Sequence, residues 1–108
     1  MANRYKVSKV DLVNTDVTTL YTVPTATVTV IKSIVVSNDS SSQDTITVTI
    51  TNGSSVFSLF KLYSVDALGT EELLKQPLIV DESEIIKVTA ATANRLHVVM
   101  SYLEISRD

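Results

Sequence analysis

Ten consecutive residues, Val28-Thr-Val-Ile-Lys-Ser-Ile-Val-Val-Ser37, constrain the fold more than any other stretch of the chain. β-Branched side chains are stiff at χ1 and pack well on a pleated surface, so this run belongs in a strand. Its even positions place Val28, Val30, Ile34 and Val36 on one face, with Lys32 as the exception. Its odd positions place Ile31 and Val35 among Thr29, Ser33 and Ser37. Apolar groups on both faces predict a central strand, covered on both sides or bent by a bulge partway along. Lys32 is expected to keep its charged end at an edge or surface, because a buried ammonium would need a paired carboxylate.

The same bias runs through the rest of the chain, since 38 of its 108 residues are Val, Ile or Thr. Val7–Val13 is a weak first strand and Thr18–Val23 a short second one, stopped by Pro24, which cannot donate to a ladder. Asp44-Thr-Ile-Thr-Val-Thr-Ile-Thr51 alternates cleanly, with Ile46, Val48 and Ile50 inward and threonines outward, the pattern of an antiparallel sheet with one wet face. Asn52-Gly53 predicts a hairpin into Val56–Val65. In that strand Phe57, Leu59, Tyr63 and Val65 fall on one face and Phe60 and Leu62 on the other. Thr70–Gln76 allows under two helical turns before Pro77, or else a strand from Glu72 to Gln76 that continues into Leu78–Val80. Ile85–Thr89 and Leu96–Ile105 are the last strands; Leu96, Val98, Met100 and Tyr102 share one face of the latter, and Val99, Leu103 and Ile105 the other.

About eight short strands at regular spacing predict an all-β, two-layer antiparallel β-sandwich of jelly-roll or immunoglobulin-like kind. Residues 1–108 are expected to form one such domain, with an N-terminal arm at 1–6. Arg4, Lys6 and Lys9 make that end basic. They suit an arm over an acidic neighbour, or simply a solvated terminus.

A net charge of −3 argues against a general nucleic-acid binder, which needs a basic field. No apolar run exceeds three residues, so no segment reads as a membrane-spanning helix, and the first residues lack the apolar core of a secretory signal. The chain has no cysteine, which removes disulfides, thiolate metal sites and thiol nucleophiles and suits folding in a reducing cytoplasm.

Catalytic motifs are not found. Gly53 and Gly69 are the only glycines, so neither a nucleophile elbow nor a phosphate-cradling loop can be assembled. His97 is a single histidine, too few for a zinc site. Asp81, Glu82 and Glu84 sit in one turn, not across a cleft as glycosidase carboxylates do, and Asn38, Asp39 and Asp44 match no calcium loop. Tyr5, Tyr21, Tyr63 and Tyr102 are dispersed and there is no Trp, which demotes a sugar-stacking platform. No catalytic residue, metal ligand or cofactor site is assigned.

The hexad Thr19-Leu-Tyr-Thr-Val-Pro24 leads into Val28–Ser37, then Asn38-Asp39, then the alternating threonine strand. Glu72–Val80, Ile85–Val88 and Ala93–Ser101 complete the pattern. It resembles the small β-rich virion structural proteins of tailed bacteriophages, especially those infecting cyanobacteria. The likeness covers nearly the whole chain and departs at Pro24-Thr-Ala-Thr27, where many such proteins have Gly after the Pro. The resemblance implies a non-enzymatic capsid decoration or stabilising subunit, or a tail or neck accessory subunit, located in the virion after folding in the host cytoplasm. It implies partners among the major capsid or tail proteins and a homo-oligomer, a trimer being one form. Apolar second strand faces nominate Phe57, Leu59, Phe60, Leu62, Val99, Leu103 and Ile105 as subunit-interface residues, with Arg4, Lys6 and Lys9 on the arm. The alternative is a receptor- or glycan-binding module of a phage tail or fibre.

Overall fold

The computed structural model describes residues 2–107. Among them the chain forms nine strands: β1 (Ala2–Asp11), β2 (Thr18–Thr22), β3 (Thr27–Asn38), β4 (Asp44–Thr51), β5 (Val56–Val65), β6 (Thr70–Glu72), β7 (Leu78–Val80), β8 (Ile85–Ala90) and β9 (Leu96–Ser106). One sheet has the order β1-β9-β3-β6, with β7 also paired to β3, and the other has the order β2-β8-β4-β5. Every pairing is antiparallel. β6 and β7 meet the same edge of β3 and act as one interrupted strand.

This order settles the choice between the two sandwich types. An immunoglobulin-like sandwich pairs several sequence neighbours, whereas here β4 and β5 are the only consecutive strands that share a ladder. The first strand pairs with the last, and the chain otherwise alternates between sheets as it does in an eight-stranded jelly roll.

The organising strand is β3, central in the first sheet, and of the two expected alternatives it shows the bulge. Ile31 faces Tyr102 and Ser33 faces Ser101, so Lys32 is one residue extra. The bulge shifts the inward parity: Thr27, Thr29 and Ile31 are buried before it, Ile34, Val36 and Asn38 after it. Val28 and Val30 therefore do not share a face with Ile34 and Val36, as uninterrupted alternation would have them do. Lys32 is exposed.

Two other expectations need correction. Residues 73–77 are neither helix nor strand, because the Glu72 carboxylate takes over the local pairing. It accepts from the Ile34 N–H (3.0 Å) and the Leu74 N–H (3.2 Å), and the Ser33 hydroxyl donates to it. The hairpin expected at Asn52-Gly53 is present, with residues 52–55 as its loop between β4 and β5. Asn52 Oδ1 accepts from the N–H groups of Ser54 and Ser55, each at 3.0 Å, and Gly53 alone within the loop takes a positive φ, of 101°. The expected arm at 1–6 is, from Ala2 onward, the first half of β1, paired with β9 from Ala2↔Ser106 to Asp11↔His97. Sequence pattern understated this strand because an edge position buries few of its side chains. Met1 lies outside the described residues.

The inner faces of the two sheets meet in a core that includes Ile31, Ile34, Val36, Ile46, Val48, Ile86, Val88, Val98 and Met100, all fully buried. No buried side-chain nitrogen or oxygen among the described residues lacks a hydrogen-bond partner.

Candidate functional site: an apolar sheet face and an open edge

Residues paired directly across an antiparallel ladder point to the same side of the sheet. On the outside of the first sheet, Tyr5 pairs with Leu103, Leu103 with Val30, and Val30 with Ile79. One apolar row therefore crosses β1, β9, β3 and β7. Its ends are bare, with Tyr5 80% and Ile79 66% exposed, while Leu103 and Val30 are half-buried between them. Ile105 and Val28 extend the patch on one side. On the other side, beyond Ser101 and Ser33, comes the row Lys9, Val99, Val35 and Glu72. The next row begins with Asp11 and His97, whose Oδ1 and Nε2 lie 3.2 Å apart.

The second surface is the open edge at β5. This strand holds two bulges, where its register against β4 shifts between Ile46 and Val48 and again between Val48 and Thr49. They scramble the simple alternation expected for it. Val65 is buried, Leu59 and Phe60 are half-buried against the core, and Phe57 and Leu62 are more than 60% exposed. Leu62 adopts φ 53°, uncommon for a bulky residue, and its N–H is held by Thr47 Oγ1 at 3.1 Å. Where β6 gives way to β7, an open groove of about 470 Å³ lies between the sheets, lined by Leu59, Phe60, Leu73, Leu74, Pro77 and Leu78 among others.

The seven residues nominated from sequence thus occupy two surfaces. Phe57, Leu59, Phe60 and Leu62 lie along the β5 edge, and Val99, Leu103 and Ile105 lie on the outer face of the first sheet. Tyr5, Val30 and Ile79 complete that face and were not nominated. The signal that would have found them is the pairing register, which joins residues about 50–100 positions apart in sequence with no local mark.

Of the basic residues, Lys9 stands on the same outer face, while Arg4 and Lys6 face the other way, towards a small polar groove with Pro24, Thr25, Thr27 and Glu104. Lys6 Nζ is 3.1 Å from Glu104 Oε1. The Tyr21 hydroxyl donates to Glu104 Oε2 at 2.6 Å, and with its single proton so used it accepts from Thr29 Oγ1 at 2.7 Å. The Tyr21 ring lies against Tyr102, centroids 4.3 Å apart, and the Tyr102 hydroxyl meets Ser8 Oγ at 3.0 Å. Tyr21 belongs to β2 and its partners to β3 and β9, so this side chain bolts one sheet to the other. Burial, followed by the hydrogen bond and charge of Glu104, pushes its phenol well above the ordinary tyrosine range. The tyrosine of the Leu20–Pro24 stretch thus has a structural role.

The other polar clusters are occupied in holding turns. Glu84 Oε1 accepts from the Asp81 N–H at 2.7 Å, and Glu82 pairs with Arg107 at 2.6 Å. Asn38 Nδ2 donates to the carbonyls of Ser42 and Val65, and Asp44 Oδ2 accepts from the Thr92 N–H. Among the described residues, no three His, Cys, Asp or Glu side chains are grouped so as to hold a metal ion.

No family model and no curated protein matches the chain. Solved structures do. A chain in the acidic stable capsid structure of Helicobacter pylori bacteriophage KHP30 superposes with a TM-score of 0.63 at 9% identity, covering 97% of this chain and 89% of that one. A pentameric capsid protein isolated from metagenomic phage sequences, seen in two crystal structures, matches with a TM-score of 0.51 at 19% identity over 93% of this chain. The match spans only 60% and 62% of those two chains. At such identities the likeness is one of fold: the chain shares its sandwich with chains from phage capsids.

Proposed function

We propose that the protein is a non-enzymatic structural subunit of a phage virion, a decoration or stabilising subunit on the capsid or an accessory subunit of the tail or neck. The observation that carries this reading is the apolar row Tyr5–Leu103–Val30–Ile79 on the outside of a jelly roll. A contiguous apolar patch on an outer face marks an interaction surface. The capsid origin of chains with the same fold supports the same reading. In this role the chain works by being rigid and by presenting faces to its own copies and to major capsid or tail proteins.

The test is the purified particle. Mass spectrometry of separated heads and tails is expected to find the chain at a copy number comparable to other structural proteins, and cryo-electron microscopy to find its sandwich in ordered density. Absence of the chain from purified particles of the phage that encodes it would overturn the proposal. Its presence in one fraction alone decides between head and tail.

A further inference from the structure

We infer that two copies of the chain pack face to face through the outer side of the first sheet, about a two-fold axis parallel to its strands. The pairing register carries this. Such an axis preserves height along the strands and reverses the order of strands across the sheet. The row Tyr5–Leu103–Val30–Ile79 then lies on its own reverse. Tyr5 of one copy meets Ile79 of the other, and Leu103 meets Val30. The row Lys9–Val99–Val35–Glu72 is self-complementary under the same operation. Val99 meets Val35, and Lys9 at one end meets Glu72 at the other, twice. Glu72 is a fixed anion at that position, since Ser33, Ile34 and Leu74 already hold its carboxylate. Apolar centre and opposite charges at the two margins are what a self-complementary contact requires.

The competing way for two copies to join this side is edge to edge through β1, and charge opposes it. Antiparallel pairing of two β1 strands centred on Tyr5 would set Arg4 directly against Lys6 of the other copy, and like charges opposite one another destabilise a ladder. The area also fits. Four strands at ~4.8 Å spacing and about seven residues at ~3.3 Å rise give a footprint of roughly 440 Å² per copy. Both copies together bury about 900 Å², below the ~1,200 Å² at which stable complexes begin. Stacked sheets also twist by about 30°, which concentrates contact at Leu103 and Val30. The pair is therefore weak and concentration-dependent in solution, and crowding on a particle surface consolidates it. It rests on the virion reading only for its purpose.

The chain has no cysteine, so introduced ones report cleanly. The doubly substituted Tyr5→Cys/Ile79→Cys chain is oxidised and run on a non-reducing gel. Within one copy these positions are three strand spacings apart, about 14 Å, beyond the ~7 Å a disulfide spans. A covalent dimer is expected from the double variant and only traces from either single variant. Sedimentation of the unmodified chain is expected to show a monomer–dimer equilibrium, and Leu103→Lys, with an unchanged circular dichroism spectrum, to weaken it by roughly tenfold or more. A covalent dimer from Tyr5→Cys alone would mean edge pairing and overturn the proposal. So would an unmodified chain that stays monomeric at millimolar concentration. A monomer that Leu103→Lys nonetheless removes from particles would show the face docked on another virion protein, which refutes the two-fold pair and leaves the virion reading standing.

Discussion

One row of four residues crosses each sheet on its outer side, and the two rows are opposites. In the first sheet the row reads Tyr5, Leu103, Val30 and Ile79. In the second it reads Thr19, Lys87, Thr49 and Ser58. Both sheets pack inward on the same core, and both are antiparallel, so the fold makes the same demand of each outer face: residues that sit well on a pleat. Threonine meets that demand as a β-branched residue while keeping the face wet. Val30 and Ile79 meet it at the cost of exposed apolar surface. Scattered exposed apolar residues are ordinary, but four in register across a sheet form one patch. The difference teaches that one fold can carry either kind of exterior: along these rows the first sheet presents apolar groups and the second presents polar ones.

The largest effects should ignore this contrast. Ile34→Ala in the first sheet and Ile86→Ala in the second each empty a fully buried site, and each should cost about 2–5 kcal/mol in urea unfolding. A large cost in one and a negligible cost in the other would mean that the sheets do not share their core equally. Next comes the bolt between them. Tyr21→Phe removes the hydroxyl that joins Thr29 and Glu104, at an expected cost of about 1–3 kcal/mol. Its pH dependence has a definite sign. The folded chain holds the phenol above its unfolded value of about 10, so the neutral form is the one that folding favours. This stabilisation is complete below about pH 10 and is lost as pH rises from there towards the folded value. Stability of the parent should fall more steeply than that of Tyr21→Phe above about pH 10, and parallel curves would contradict the assignment.

Smaller still are changes on the exteriors, where the contrast itself is at stake. Leu103→Ser and Thr49→Ser should each alter monomer stability by about 1 kcal/mol or less. Only the first should lower the average mass in sedimentation at high concentration; equal behaviour of the two would erase the distinction between the faces. Least of all, Lys9→Glu should loosen self-association by a few fold at low salt and by less at high salt, as an exposed ion pair worth about 0.2–1 kcal/mol does.

Much of the architecture was legible in particular residues. The threonine alternation of Asp44–Thr51 announced one wet face, and apolar residues on both sides of Val28–Ser37 announced a central strand, either covered on both sides or bent by a bulge whose place, at Lys32, only the pairing shows. Inward and outward sets of Leu96–Ile105 were separated correctly, because β9 runs without a bulge and the period of two holds throughout. Strand β5 resisted the same treatment, since each of its two bulges resets the parity of the residues beyond it.

By itself, then, the sequence determined most of the segments that are strands and that they form two layers, because β-branched content and alternation are local properties of the chain. Tertiary structure alone decided which strands are neighbours. Ser8 touches Tyr102 across 94 residues, and nothing near either residue marks the other. The apolar face exists only through such pairings: Tyr5, Val30, Ile79 and Leu103 are ordinary one by one, and become a surface when four distant strands align them. Long-range register is set by the summed fit of the core against the entropy of closing those loops, a balance that belongs to the whole chain and is written in no single stretch of it.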